Sequence, residues 1–109
     1  MKEWTDTGIV EWHKKFFPKA TMQTQLLKIE SEMREVHMAS GYDNFWEEIA
    51  DVYIAATAAE MRFGSEMAKI VRRQIQIVAG EKLWPNVNAK MAINVNRKFK
   101  GDHHVEKVA

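Results

Sequence analysis

Residues 25–62, QLLKIESEMREVHMASGYDNFWEEIADVYIAATAAEMR, hold two helical apolar repeats on either side of one short break. Before the break, Leu26, Ile29, Met33 and Val36 recur every three or four residues, the spacing that lines one side of an α-helix. After it, Phe45, Ile49, Val52, Tyr53 and Ala56 do the same. The break at Ser40-Gly41-Tyr42-Asp43 is long enough only to turn the chain back, so the two helices are expected to lie antiparallel and adjacent. Each also carries an acidic pair at i,i+3, Glu32 with Glu35 and Glu48 with Asp51, which puts two carboxylates on one side of each helix.

Working outward, the helical pattern continues in both directions. A first amphipathic segment runs from about Thr7 to Phe17, with Ile9, Trp12 and Phe16 at helical intervals, and Pro18 ends it. Thr21 is the expected N-cap of a second helix over Met22 to Ala39, and Asp43 or Asn44 that of a third reaching Arg62. Alanines at 55, 56, 58 and 59 let a neighbour approach the third helix closely. Ser65 caps a fourth, whose apolar positions Met67, Val71, Ile75 and Val78 lead to a stop at Gly80. A last helix starts at Trp84-Pro85-Asn86 and reaches about Lys98, with Ala92, Val95 and Phe99 toward the core. No strand-like alternation occurs. The expected class is all-α: a four-helix bundle with an additional short N-terminal helix, one domain over residues 1–100 and a loose polar tail over 101–109.

The bulk numbers exclude several functions. At 109 residues the chain supports one core, and 46% apolar with 28% charged residues is a globular composition. Sixteen basic against fifteen acidic residues give no demand for a nucleic acid partner. With no cysteine there is neither a disulfide nor a thiolate metal site. No apolar run approaches a membrane span or a signal-peptide core, so a soluble, cytoplasmic protein is expected.

The acidic pairs carry the chemical information. Both sit at the edge of an apolar stripe, and none of Glu32, Glu48 and Asp51 has a lysine or arginine four residues further on. Four carboxylates converging between packed helices repel, at roughly 4 kcal/mol per close pair for an intermediate dielectric. A hard divalent cation removes that cost, and Mg²⁺ is the usual occupant of all-carboxylate sites. A solvated acidic face is the competing reading of the same spacing.

The chain resembles the MazG-like nucleoside triphosphate pyrophosphohydrolases of the all-α NTP pyrophosphatase superfamily. Their signature is Glu-Glu-x-x-Glu on one helix and Glu-x-x-Asp on the next; here stand Ser31-Glu32-Met33-Arg34-Glu35 and Glu48-Ile49-Ala50-Asp51. The lead-in Gln25-Leu26-Leu27-Lys28-Ile29 is similar to the family's. The segment Trp12 to Thr21 is similar to a stretch of phage and bacterial members that act as dATP/dGTP diphosphohydrolases. The likeness covers about Val10 to Lys100. It implies hydrolysis of a (d)NTP to the monophosphate and pyrophosphate, with Glu32, Glu35, Glu48 and Asp51 holding Mg²⁺, or Mn²⁺ in its place. Glu35 or Glu32 would act on the attacking water. Lys90, Asn94 and Arg97, at i, i+4, i+7 on the last helix, match the family's Lys/Asn/Arg pattern and imply a clamp for the nucleoside triphosphate. A homodimer or homotetramer is implied as well. Ser31 departs from the motif's first glutamate, which leaves two non-catalytic alternatives: an inactive nucleotide-binding relative or a helical interaction module.

Other candidates carry less. His13 reads as a surface residue, Arg72-Arg73 as a weak basic patch, and His103-His104 as part of the tail. His37 does not complete a Glu-x-x-His motif, so a ferritin-like di-iron site is not indicated.

Overall fold

A computed structural model describes residues 2–108, with side chains through Arg97. Five α-helices follow one another: α1 Asp6–Phe16, α2 Met22–His37, α3 Tyr42–Phe63, α4 Glu66–Ala79 and α5 Leu83–Val108, with one 3₁₀ turn at Gly80–Lys82 before α5. There is no strand among the described residues, and no helix in them is long and apolar enough to cross a membrane. The fold is therefore the expected all-α bundle of four helices with a short N-terminal one. The expected core position Phe99 lies outside the described side chains, and α5 continues as helix to Val108, past its expected end near Lys98 and into the expected tail over 101–109.

Local chemistry sets the boundaries. Thr5, Thr21 and Ser65 each accept a backbone N–H from the first turn of α1, α2 and α4. Thr24 returns the favour to the Thr21 backbone N–H, completing a capping box. α3 ends in a Schellman turn at Gly64, whose φ of 75° is left-handed. Gly64 N–H donates to Glu60 O at 2.8 Å and Ser65 N–H to Ala59 O at 3.1 Å. At its start α3 differs from expectation: Gly41, with φ 100°, is the N-cap, while Asp43 lies within the first turn.

α3 is the axis of the molecule. It packs against α1, α2, α4 and α5, and from Val52 to Ala59 every residue is buried. A helix enclosed on all sides needs small or apolar residues all round, which this alanine-rich stretch supplies. Ala68 and Ala79 of α4 meet that surface together with Ile75 and Arg72. The stripe expected for α4 is thus rotated: Met67 and Val78 are exposed, as are Ile70 and Ile77. Close approach to the alanines of α3 selects small residues at the contact and turns the large ones outward. Two further expectations fail for related reasons. Met33 is 41% exposed because α2 faces inward along Gln25 and Ile29, and Ala92 is exposed because α5 buries Leu83, Val87 and Met91.

Two polar contacts that the sequence left unread fix α1 to this axis. Arg72 is buried, not part of a basic patch. It ion-pairs with Asp6 at 2.7 Å and with Glu60, and donates to Thr57 Oγ1 at 3.0 Å and to the Tyr53 hydroxyl at 3.1 Å. The Tyr53 hydroxyl donates in turn to Asp6 at 2.8 Å. Burial works against the Arg72 charge, but Glu60, Tyr53 and Asp6 outweigh it and raise its pKa above the ordinary arginine value. His13 is buried rather than on the surface. Its Nδ1 accepts from Arg62 Nη1 at 2.8 Å, and the same guanidinium donates to Phe17 O at 2.8 Å, closing the carbonyl end of α1. Because arginine only donates, the ring is neutral and carries its proton on Nε2.

Burial, and then the Arg62 charge, lower the His13 pKa from 6.5 to about 4. The unfolded chain therefore binds a proton between pH 6.5 and about 4 that the folded protein does not. Stability linked to His13 is fully present above pH 6.5 and is lost as the pH falls toward 4. Chemical denaturation should show the wild type losing up to about 3 kcal/mol relative to His13→Gln across that window. Parallel pH profiles for the two proteins would contradict this account of His13.

Candidate metal centre

The inward line of α2 continues past Ile29 through Glu32, so a carboxylate stands where the helix meets α3. Gln25, Ile29, Glu32 and Val36, at intervals of four, three and four, are all buried or half-buried. On α3, Asp51 sits between Ala50 and Val52, both fully buried, and Glu48 lies one turn before it on the same side. The four residues 38–41 turn the chain back and bring these two faces together. Glu32, Glu48 and Asp51 each offer a carboxylate oxygen, and the three oxygens lie within 4.8 Å of one another.

Glu35 does not join them. It lies about 90° round α2 from the inward line and is exposed, as is Ser31. The sequence expectation of four converging carboxylates becomes a triad with Glu35 outside it.

The electrostatics of the triad are uneven. Lys28, four residues before Glu32, pairs with it at 3.3 Å, and Lys90 of α5 pairs with Asp51 at 3.2 Å. Glu32 therefore has the helical lysine partner that was absent in the forward direction. Among the described residues Glu48 has no ion pair. Burial, then the nearby Glu32 charge, push Asp51 from 3.8 up to about 6, although Lys90 pulls the other way. Lys90, expected on the sequence as a phosphate ligand, is thus aimed into the acidic cluster from the helix opposite. Asn94, one turn on, is half-buried and donates to Met91 Sδ at 3.7 Å, while Arg97 is exposed.

Three hard oxygen donors from two rigid helices fit a divalent cation. Ligand atoms on opposite sides of Mg²⁺ stand about 4.2 Å apart, and about 4.8 Å apart around Ca²⁺. The triad's oxygens lie within 4.8 Å of one another, so Mg²⁺ or Mn²⁺ would draw the three side chains together. A three-carboxylate set leaves the rest of an octahedral shell to water or to substrate oxygens. Comparison of the chain with protein-family models, curated proteins and solved structures found no match.

Glu48 is the acid whose neutralisation relieves crowding without orphaning a lysine. Glu48→Gln should leave the metal-free protein as stable as the wild type or more so, by about 1 kcal/mol. It should also remove any rise in melting temperature on adding Mg²⁺. A large loss of stability with the Mg²⁺ response intact would contradict this reading of the triad.

Proposed function

We propose that this chain is a divalent-cation-dependent nucleoside triphosphate pyrophosphohydrolase, an intracellular enzyme that adds water across the α–β phosphoanhydride to give the monophosphate and pyrophosphate. The observation that carries the reading is the meeting of Glu32, Glu48 and Asp51 between α2 and α3 with Lys90 beside them. The choice of reaction rests on the resemblance of the two acidic motifs to the MazG-like enzymes.

In this reading Glu32, Glu48 and Asp51 hold Mg²⁺ or Mn²⁺. When bound, the cation supplies Lewis acidity to the phosphate oxygens and offsets charge on the leaving pyrophosphate. Lys90 donates to a phosphate oxygen, and its placement on α5 opposite the acids lets substrate and carboxylates share its charge. Arg97 meets the polyphosphate from the solvent side, and Asn94 hydrogen-bonds the sugar or base. Glu35, exposed on α2, would take the proton of the attacking water, as the resemblance implies. The apolar residues Met67, Ile70, Ile77 and Val78 exposed along α4 support assembly into a homodimer or homotetramer.

One observation favours a second reading. Ser31 and Glu35 are both exposed and outside the triad, so two positions of the five-residue motif contribute no oxygen to it. A nucleotide-binding relative without turnover would keep the triad and Lys90 and lose the rest.

Pyrophosphate release from a panel of dNTPs and NTPs with Mg²⁺ separates the two. The enzyme reading expects turnover that falls at least 100-fold in Glu48→Gln and in Glu32→Gln, of the order seen when charge-stabilising groups are removed. No release from any nucleotide, with saturable binding retained, would establish the second reading in its place.

A further inference from the structure

Where α3 meets α5, Asp51, Glu47 and Asp43 step back along one helix at intervals of four, and Lys90, Asn86 and Lys82 do the same along the other and the turn before it. Only the first rung closes, Asp51 with Lys90 at 3.2 Å. Beyond it lies an open-sided cavity of about 260 Å³, lined by Tyr42, Asp43, Trp46, Glu47, Lys82 and Asn86. Its polar surface is mostly acceptor. Asp43 and Glu47 are exposed and form no ion pair among the described residues. Asn86 spends its Nδ2 donor on Lys82 O at 2.8 Å, which leaves the acceptor Oδ1. Trp46 Nε1 is buried out of solvent's reach and adds no donor. The rings of Tyr42 and Trp46 stand 6.0 Å apart between centroids at 76°, as two walls of a corner, and Tyr42 is 64% exposed. Among the lining residues the one cation is Lys82. Its Nζ lies 5.9 Å from the centre of the Tyr42 ring, near the outer limit of a cation–π contact, and pairs with neither carboxylate.

We infer that this cavity binds a small organic cation, an alkylammonium of about choline's size, in the place that the Lys82 ammonium group approaches. Two carboxylates at i,i+4 repel, and a positive charge between them and the rings removes that repulsion. The π faces attract the same charge, and they suit an alkylated ammonium, whose methyl groups pack against rings, better than a hydrated metal ion. The volume lies below the range of pockets for drug-sized ligands, which limits the occupant to a few heavy atoms. Lys82 is then an internal competitor. It is exposed on a flexible stem and gives way to a cation that fits the corner more closely. The cavity shares no residue with the Glu32–Glu48–Asp51 triad, so this inference stands apart from the metal-centre reading.

The test is a titration of the full chain with choline at low salt, followed by amide NMR, beside its uncharged isostere 3,3-dimethyl-1-butanol. Choline should shift the amides of residues 42–47 and 82–86 saturably, with a Kd of about 1 mM, and the isostere should bind at least about 10-fold more weakly. Lys82→Gln should tighten choline binding about 3-fold, since it removes a like charge that is partly screened by solvent. Tyr42→Leu, at an exposed position where folding is not at stake, should weaken it at least about 5-fold, and Asp43→Asn with Glu47→Gln should do the same. Equal binding of the isostere, or choline shifts that Tyr42→Leu and the double variant leave unchanged, would overturn the assignment. So would the absence of saturable shifts in both the wild type and Lys82→Gln.

Discussion

Burial of the middle of α3, Val52 to Ala59, on all sides is the constraint from which the rest follows. That stretch has no solvent side, whereas Asp43 and Glu47 nearer the start of the helix are exposed. Ionised groups that flank the buried stretch must find partners or bear the cost of leaving water. Toward α1 and α4 the problem is closed: Glu60 and the neighbouring Asp6 share Arg72, which also donates to Thr57 and to the Tyr53 hydroxyl. Toward α2 and α5 it stays open. Three carboxylates meet there with one lysine on Glu32 and one on Asp51, and among the described residues Glu48 has no ion pair. The same helix thus carries one satisfied network and one with a surplus of negative charge. A surplus held between rigid elements is stability forgone, and it is the arrangement that a cation-binding site requires.

Much of this was legible in residues 25–62. The two stripes, the short turn and the paired acids follow from helical periodicity, and capping chemistry at Thr21, Ser65 and Gly64 fixed boundaries to within a residue or two. The acids were readable because they interrupt or flank apolar stripes. What periodicity could not give was the rotation of each helix about its own axis. On α2 periodicity points to the stripe through Leu26 and Met33 as the inner line, whereas the helix turns Gln25, Ile29 and Glu32 inward. That rotation brings Glu32 to α3 and leaves Glu35 outside, so three carboxylates converge and not four.

On α4 the error has a different cause. Hydrophobicity ranks Met67, Ile70, Ile77 and Val78 above Ala68 and Ala79 as core residues, yet close packing on an alanine surface ranks them the other way. For Arg72 and His13 the sequence points to the surface, because a lone charged or titratable residue defaults there, whereas both are buried. The signal that could have found Arg72 is its membership, with Ala68, Ile75 and Ala79, of a stripe at i, i+4, i+7 and i+11. Facing it, Tyr53, Thr57 and Glu60 of α3 are spaced at i, i+4 and i+7. Polar partners on two helices at matching spacing mark an interior network as clearly as apolar ones mark a core.

The central claim, that carboxylates from α2 and α3 crowd together out of water, is tested most directly by titrating Asp51 with carboxyl-carbon NMR. The account predicts a midpoint near 6, and loss of that titration when Mg²⁺ is added, since the bound ion holds the carboxylate ionised. A midpoint at the ordinary aspartate value of about 4, unmoved by Mg²⁺, would contradict it.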